Sequence, residues 1–220
     1  MSRRGKCHSD YGEGMAGSTR QRNVRGQGAL LREEILAAAV RVVDASENVA
    51  DVSLRSIARE AGVSTMALYA HFDNRDDLLA AVAELSWDQV SREISEQAQA
   101  GATPRERLLL GCRTYVGFAE RFPLRYVLMV KGDEITPAAR AALGVVTRGL
   151  LASGGMDPES EPSEAAHRTA AALSVALHGV AMLHRTDTPH LWLSDFSTWD
   201  IVQSMVDAAI LQLERESVGS

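Results

Sequence analysis

Hydrophobic residues recur every three or four positions from residue 28 onward, which is the spacing of one face of an α-helix. The pattern opens with Leu31, Ile35, Ala38 and Val42 and continues through most of the chain. No segment alternates apolar and polar residues over several cycles between turn residues, so no β-sheet is expected. The pattern therefore predicts an all-α protein.

Capping and turn residues divide this pattern into separate helices. Ser53 and Ser64 are natural N-caps for two short helices, Gly62 can form the turn between them, and Asp73 or Asn74 can cap a longer helix. The predicted helices cover about residues 28–46, 53–61, 64–71, 75–99, 104–121, 123–130, 137–153, 163–185 and 197–215. Short helices thus give way to long ones near residue 75.

This change of helix length predicts a small N-terminal domain over 28–75 and a larger one over 76–220. Residues 1–27 are polar and lack apolar periodicity, so we predict that they form a disordered arm. The first 25 residues carry a net charge of +4, although the whole chain has a formal charge of −6. The sequence therefore predicts a basic arm ahead of an acidic body.

Composition and motif content exclude several classes of protein. With 17 Gly, 6 Pro and 2 Cys, the chain is neither collagen-like nor a disulfide scaffold. It shows no export signal and no apolar stretch that spans a bilayer comfortably, so a cytoplasmic protein without membrane contact is expected. Cys7 and Cys112 are far apart, and neither the cysteines nor the histidines form a metal-binding motif. Without a catalytic or phosphate-loop motif, no enzyme, catalytic residue, metal or cofactor is predicted.

The segment 52–79 has the layout of a helix-turn-helix. Ala58 is small enough to let a second helix cross closely, and Gly62 supplies the left-handed residue of the turn. Ile57, Val63 and Leu68 fall where the two helices would share a core. In a helix-turn-helix the second helix enters the DNA major groove by its N-terminal end.

The residues that follow are more specific. Tyr69, His71 and Phe72, then Arg75 and Leu78, reproduce the pattern L-Y-x-H-F-x-x-(K/R)-x-x-L. On these residues the chain resembles the tetracycline-repressor (TetR) family of transcriptional regulators. The resemblance implies a homodimeric repressor that binds a palindromic operator in double-stranded DNA. It also implies a helical C-terminal domain that dimerises and binds a small-molecule effector, which releases the DNA.

The resemblance also implies DNA-contacting residues: Ser53, Arg55, Ser64, Thr65, Met66, Ala67, Tyr69, His71 and Arg75. Thr65 would bond a base edge and Met66 or Ala67 would touch a thymine methyl group, while Tyr69, His71 and Arg75 would reach phosphates. Arg55 could instead pair with Glu60 or Asp51 on the surface. The arm over 1–27 is either a tail without a role or a segment that lies along the minor groove or backbone.

Candidate effector-binding residues lie on the apolar C-terminal helices: Tyr115, Phe118, Phe122, Tyr126, Met129, His178 and Met182. Each could equally be a core residue. Tyr115, Tyr126 and His178 are the most informative, because a buried polar group needs a partner and a ligand can be one.

Two apolar stripes on the last helices predict a four-helix dimer interface. The stripe on 163–185 consists of Leu173, Leu177, Val180 and His184, and the stripe on 197–215 consists of Val202, Met205, Val206, Ala209 and Leu213. The alternative is that both stripes face only the core of their own chain. The alternative function is a helical small-molecule sensor that does not act on DNA.

Overall fold

The computed structural model describes residues 27–131, 136–183 and 196–218. Within these ranges the chain forms α-helices and no β-strand: α1 (Gln27–Asp44), α2 (Leu54–Glu60), α3 (Thr65–Tyr69), α4 (Arg75–Ala98), α5 (Pro104–Arg121), α6 (Pro123–Val130), α7 (Pro137–Ser153), α8 (Glu164–Leu183) and α9 (Thr198–Val218). The all-α prediction is confirmed. The predicted arm, except residue 27, and His184 lie outside the described residues.

The predicted caps begin the short helices. The Ser53 hydroxyl accepts a hydrogen bond from the Ser56 amide at 3.1 Å, and the Ser64 hydroxyl accepts one from the Ala67 amide at 3.2 Å. Asn74, rather than Asp73, caps α4, with its Oδ1 2.9 Å from the Asp77 amide. The gap between the first two predicted helices contains one turn of 3-10 helix, Val49–Asp51.

The first core joins α1, α2, α3 and the start of α4. It is built from buried side chains on all four helices, among them Ile35, Ala38, Ile57, Leu68, Phe72, Leu78 and Val82. Leu124 of α6 also packs into it. Helix α4 runs on without interruption and contributes Trp87 and Val90 to a neighbouring cluster with Phe118. The N-terminal module is therefore connected to the rest of the chain through α4 and α6.

The second core lies among α5, α7, α8 and α9. It contains most of the two apolar stripes that the sequence suggested for a dimer interface, including Leu173, Leu177 and Val180 of α8 and Val202 and Val206 of α9. These side chains are buried within a single chain because they pack against α5 and α7. These residues of the two stripes therefore belong to the core of their own chain, which is the alternative given above for the stripes.

Candidate nucleic-acid interface and internal cavity

The turn between α2 and α3 brings the two helices into contact. Gly62 has a φ of +66°, the left-handed conformation that glycine adopts without a steric penalty. The Val63 amide then donates to the Ala58 carbonyl at 3.0 Å, which closes the turn against α2. Ile57 and Leu68 are fully buried between the helices. Burial of Leu68 against α2 orients α3 and so determines which of its side chains face outward.

The outward face of α3 carries side chains that the core does not use. Met66 is 78% exposed and Tyr69 is 53% exposed, although both are large and apolar in part. Ser64 and Thr65 are also exposed, whereas Ala67 and His71 are half-buried. An exposed methionine on a helix whose opposite face is fully buried is available to a partner. The structure thus brings the predicted recognition residues together on one surface.

Arg55 lies on α2 and is exposed. The alternative to a DNA contact is an ion pair between Arg55 and Asp51 or Glu60 on the surface. In the described part of the chain Glu60 pairs instead with Arg41, whose Nε lies 2.6 Å from Glu60 Oε1. No ion pair joins Arg55 to Asp51 either among the described residues, so its guanidinium remains available for a contact outside the chain.

Arg75 has a role that the sequence did not indicate. Its Nε donates to the Val52 carbonyl at 2.6 Å, and its terminal nitrogen donates to the Val49 carbonyl. A guanidinium that holds two backbone carbonyls is occupied in joining the turn before α2 to the start of α4. The other terminal nitrogen lies 3.6 Å from Asp76 Oδ1, so a phosphate contact by Arg75 would compete with interactions that the guanidinium already makes.

An internal cavity of about 330 Å³ lies between α4, α5, α7 and α8. Its buried lining includes Trp87, Leu108, Cys112 and Leu177. Of the predicted effector-binding residues only Tyr115 lines it. The other six lie elsewhere: Phe118, Tyr126 and Met129 are buried in the core, Met182 is exposed, and Phe122 and His178 are half-buried.

Glycine positions could have indicated the cavity wall. Gly111 of α5 and Gly149 of α7 both line it, and a Cβ added to Gly149 would lie 3.0 Å from Leu108 Cδ1. The two helices approach closely at this glycine, because a side chain there would press against Leu108. In the sequence, Gly111 and Gly149 thus mark where the helices of the cavity wall pack closely, a signal that the aromatic residues did not provide.

The polar residues that the sequence emphasised form a hydrogen-bonded chain. The Tyr115 and Tyr126 hydroxyls are 2.9 Å apart, and the Tyr126 hydroxyl is 2.7 Å from His178 Nδ1. Burial raises the pKa of Tyr115, which keeps its hydroxyl protonated. The chain runs from the cavity wall on α5, through α6, to α8.

Comparison with known proteins identifies the module. A family model described as bacterial regulatory proteins, tetR family, matches residues 35–82, which span most of α1, all of α2 and α3, and the start of α4. The chain belongs to the TetR family. The family is a non-enzymatic one, which confirms that the chain is not an enzyme.

Solved structures share the fold well beyond this module. A protein with unknown function from Rhodococcus sp. RHA1 is 26% identical, with a TM-score of 0.63, over 82% of this chain and 93% of that one. A TetR-family transcriptional regulator from Streptomyces coelicolor, SCO4454, is 19% identical, with a TM-score of 0.58, over 84% and 97%. This TetR-family chain thus has the helical C-terminal part of such regulators as well as the N-terminal one.

Curated relatives match over a shorter span. The nucleoid occlusion factor SlmA of Pectobacterium carotovorum is 32% identical over 92 residues, which are 42% of this chain and 46% of that protein. The match to SlmA of Vibrio vulnificus is 29% over 96 residues and 47% of its length. The chain therefore matches about half the length of these relatives. In the ranges that the structure describes, no helix is long and apolar enough to cross a membrane.

Proposed function

We propose that this TetR-family regulator is a homodimeric repressor that binds a palindromic operator through α3 and releases it when a small molecule occupies the internal cavity. The DNA-binding part rests above all on one observation, the exposed face of α3. Leu68 is buried on one side of this helix, while Met66 and Tyr69 are exposed on the other. The second helix of a helix-turn-helix uses such a face in the major groove.

The contacts divide into those that read bases and those that bind the backbone. Thr65 can hydrogen-bond a base edge, and the exposed Met66 can contact a thymine methyl group, with the smaller Ala67 beside it. Tyr69, His71, Arg55 and the hydroxyls of Ser53 and Ser64 can bind phosphates. Arg75 contributes indirectly, because it positions the start of α4 relative to the turn before α2.

A dimer is supported by an exposed apolar surface on the last two helices. Val175 of α8 is 71% exposed and Leu211 of α9 is 53% exposed. The small residues Ala172 and Ala208 are exposed on the same two helices and permit close approach of a second helix pair. A dimer of this kind would present two copies of α3 to half-sites about one helical turn of DNA apart.

Helix α6 connects the cavity to the DNA-binding module. It carries Tyr126, which bonds Tyr115 at the cavity wall, and Leu124, which packs into the N-terminal core. A ligand that displaces Tyr115 would shift α6 and, through it, the spacing of the two α3 helices. The ligand must bind the DNA-incompetent form more tightly, since otherwise it cannot shift the equilibrium.

An in vitro selection of bound DNA, followed by a gel-shift assay, tests the operator function. We expect a palindromic site whose binding weakens as salt rises, and a Thr65→Ala, Tyr69→Ala double variant that loses at least about tenfold in affinity. Arg140→Ala, an exposed arginine on α7, is the matched control and should bind normally. If no DNA is selected, or if the double variant binds as well as the parent, the chain is better described as a helical sensor that does not act on DNA.

A further inference from the structure

The internal cavity is apolar at its inner end and charged at its mouth. Trp87, Cys112 and Leu177 are buried at the inner end, and among the charged residues of the lining Arg107, Arg148 and Glu159 are exposed. The charged residues of the lining thus all lie at its exposed end, beside the exposed apolar residues Pro104, Leu143 and Pro158.

The inner polar groups already have partners. Trp87 Nε1 donates to the Met129 carbonyl at 3.3 Å, and the Ser174 hydroxyl donates to the Ala170 carbonyl at 2.8 Å. Tyr115 is bonded to Tyr126 and retains only a neutral hydroxyl for a ligand. A charged ligand group at this end would lose its hydration without gaining a counter-ion, which is costly. The inner end therefore selects an uncharged, mainly apolar body.

The mouth has an excess of positive charge. Two arginines, Arg107 and Arg148, line it beside one acidic residue, Glu159. Arg107 Nε donates to the Gly101 carbonyl at 3.0 Å, a bond that fixes the direction of the side chain. Among the described residues neither arginine forms an ion pair with a carboxylate. Both can therefore bind an anion that arrives with a ligand.

We propose that the cavity binds a singly anionic amphiphile, with an apolar body inside and a carboxylate-type head at the mouth beside Arg107 and Arg148. This inference rests on the proposed function, in which the cavity is the effector site. A volume of about 330 Å³ accommodates a body of about ten non-hydrogen atoms, at ~30 Å³ for each water-sized group. The head stays at the exposed end, where it keeps part of its hydration.

Three probes with the same ten-carbon chain separate the possible ligand classes: decanoate, decanol and decyltrimethylammonium. Calorimetric titration of the full chain, below the micellar concentration of each probe, measures binding without DNA. We expect decanoate to bind at least about tenfold more tightly than the alcohol, and the cation to bind most weakly. Equal affinity for the three probes, or preference for the cation, would overturn the proposal.

Variants locate the head and the body. The double substitution Arg107→Gln, Arg148→Gln should reduce decanoate affinity about tenfold and leave decanol affinity unchanged, whereas Arg140→Gln should change neither. Ala142→Phe should block all binding by filling the cavity, with its melting curve recorded to establish that it is folded. Decanoate binding that survives Ala142→Phe in the folded variant would show that the ligand sits elsewhere.

A gel-shift assay with the same probes keeps this inference separate from the proposed function. If decanoate binds in the cavity as expected but does not release the operator, the ligand class holds and the effector role fails. If instead the operator is released by decanol or by the cation while decanoate has no effect, the cavity is an effector site and the ligand class is wrong.

Discussion

Arg125 of α6 pairs with Asp44 at the end of α1, with 2.9 Å between Nε and Oδ1, and the two side chains are buried to different extents. The Arg125 side chain is 3% exposed and the Asp44 side chain is 32% exposed. Arg125 also donates to Gln89 Oε1 of α4 at 2.8 Å, and its guanidinium lies 3.7 Å from the centre of the Phe122 ring. One side chain therefore connects α6 to two helices of the N-terminal core.

The charges of this pair gain less from each other than they lose on burial. Desolvation lowers the pKa of Arg125 despite the attraction of Asp44. Desolvation also raises the pKa of Asp44, despite the attraction of Arg125. The buried Arg125 Nε, although near Asp44 Oδ1, forms no hydrogen bond. The pair therefore fixes the position of α6 rather than adding much stability.

Removing either partner should have unequal effects on stability. Asp44→Ala leaves a buried guanidinium without its counter-ion, so we expect the free energy of unfolding to fall by about 1–3 kcal/mol. Arg125→Met fills most of the volume and leaves a carboxylate that reaches solvent, so a smaller loss is expected. Urea denaturation measures both. The exposed pair Arg41 and Glu60 is the control, and Arg41→Met should change stability by less than about 1 kcal/mol.

The opposite order of effects, with Arg125→Met more damaging than Asp44→Ala, would contradict this account. It would mean that the ring contacts of Arg125 matter more than its charge. The double variant Asp44→Ala, Arg125→Met should then be examined for additivity, since a real pair gives a double variant less destabilised than the sum of the two single variants.

Tyr126→Phe should break the hydrogen-bonded chain between the cavity and α8. The substitution removes the central hydroxyl, so both Tyr115 and His178 lose a partner, and we expect a loss of about 1–3 kcal/mol in the free energy of unfolding. Nitrogen NMR of His178 reports the loss directly, because Nδ1 loses its 2.7 Å contact. Tyr115→Phe removes only one end of the chain and should leave the His178 signal near its original position. An unchanged His178 signal in Tyr126→Phe would rule out the contact.

The local signals in the sequence predicted most of the fold. The caps Ser53, Ser64 and Asn74 and the turn at Gly62 depend on bonds within a few residues, so the sequence pattern identified them directly. The outward face of α3 is predictable in the same way, because Leu68 is a core position and Met66 lies on the opposite side of the helix.

The long-range contacts could not be predicted from the pattern. Arg75 matched a phosphate-binding position, but its bonds to the Val49 and Val52 carbonyls depend on where the turn before α2 folds back. The sequence predicts an effector-binding site from the aromatic residues of α5 and α6, yet packing between the helices places Phe118 and Tyr126 in the core. An apolar residue on a helix has the same pattern whether it faces a neighbour or a cavity.

Arg75 and Arg55 should respond differently to substitution. Arg75→Ala removes the clamp on two carbonyls, so we expect it to lower both the thermal stability and the operator affinity. Arg55→Ala removes an exposed side chain, so the operator affinity should fall while the melting temperature stays within about 2 °C. Thermal denaturation and gel-shift assays on both variants provide the comparison. Normal stability of Arg75→Ala with reduced DNA binding would favour a direct phosphate contact instead.

A charge on the exposed face of α8 or α9 should separate the proposed dimer. Val175→Glu and Leu211→Glu each place a carboxylate on an apolar surface that is exposed in the single chain, so the monomer should fold normally. In a dimer the same carboxylate would be buried without a partner, which costs several kcal/mol. Light scattering should show a monomer for either variant. Leu143→Glu, on the exposed face of α7, is the control and should remain dimeric.

Cys112 should make stability depend on alkaline pH. Burial raises the pKa of the Cys112 thiol to about 12 from its ordinary value of 9.0. Between these values the unfolded chain has released the proton and the folded chain has kept it, so a rise in pH favours unfolding. The free energy of unfolding of the parent, relative to that of Cys112→Ala, should therefore fall by about 1 kcal/mol between pH 8 and pH 10. Tyr115, whose pKa is also raised, contributes equally to both proteins and cancels in the difference.

A difference that stays constant with pH would show that the thiol is not held in a desolvated site. Iodoacetamide provides a second measurement in a Cys7→Ser background, where Cys112 should react far more slowly in the folded chain than in urea.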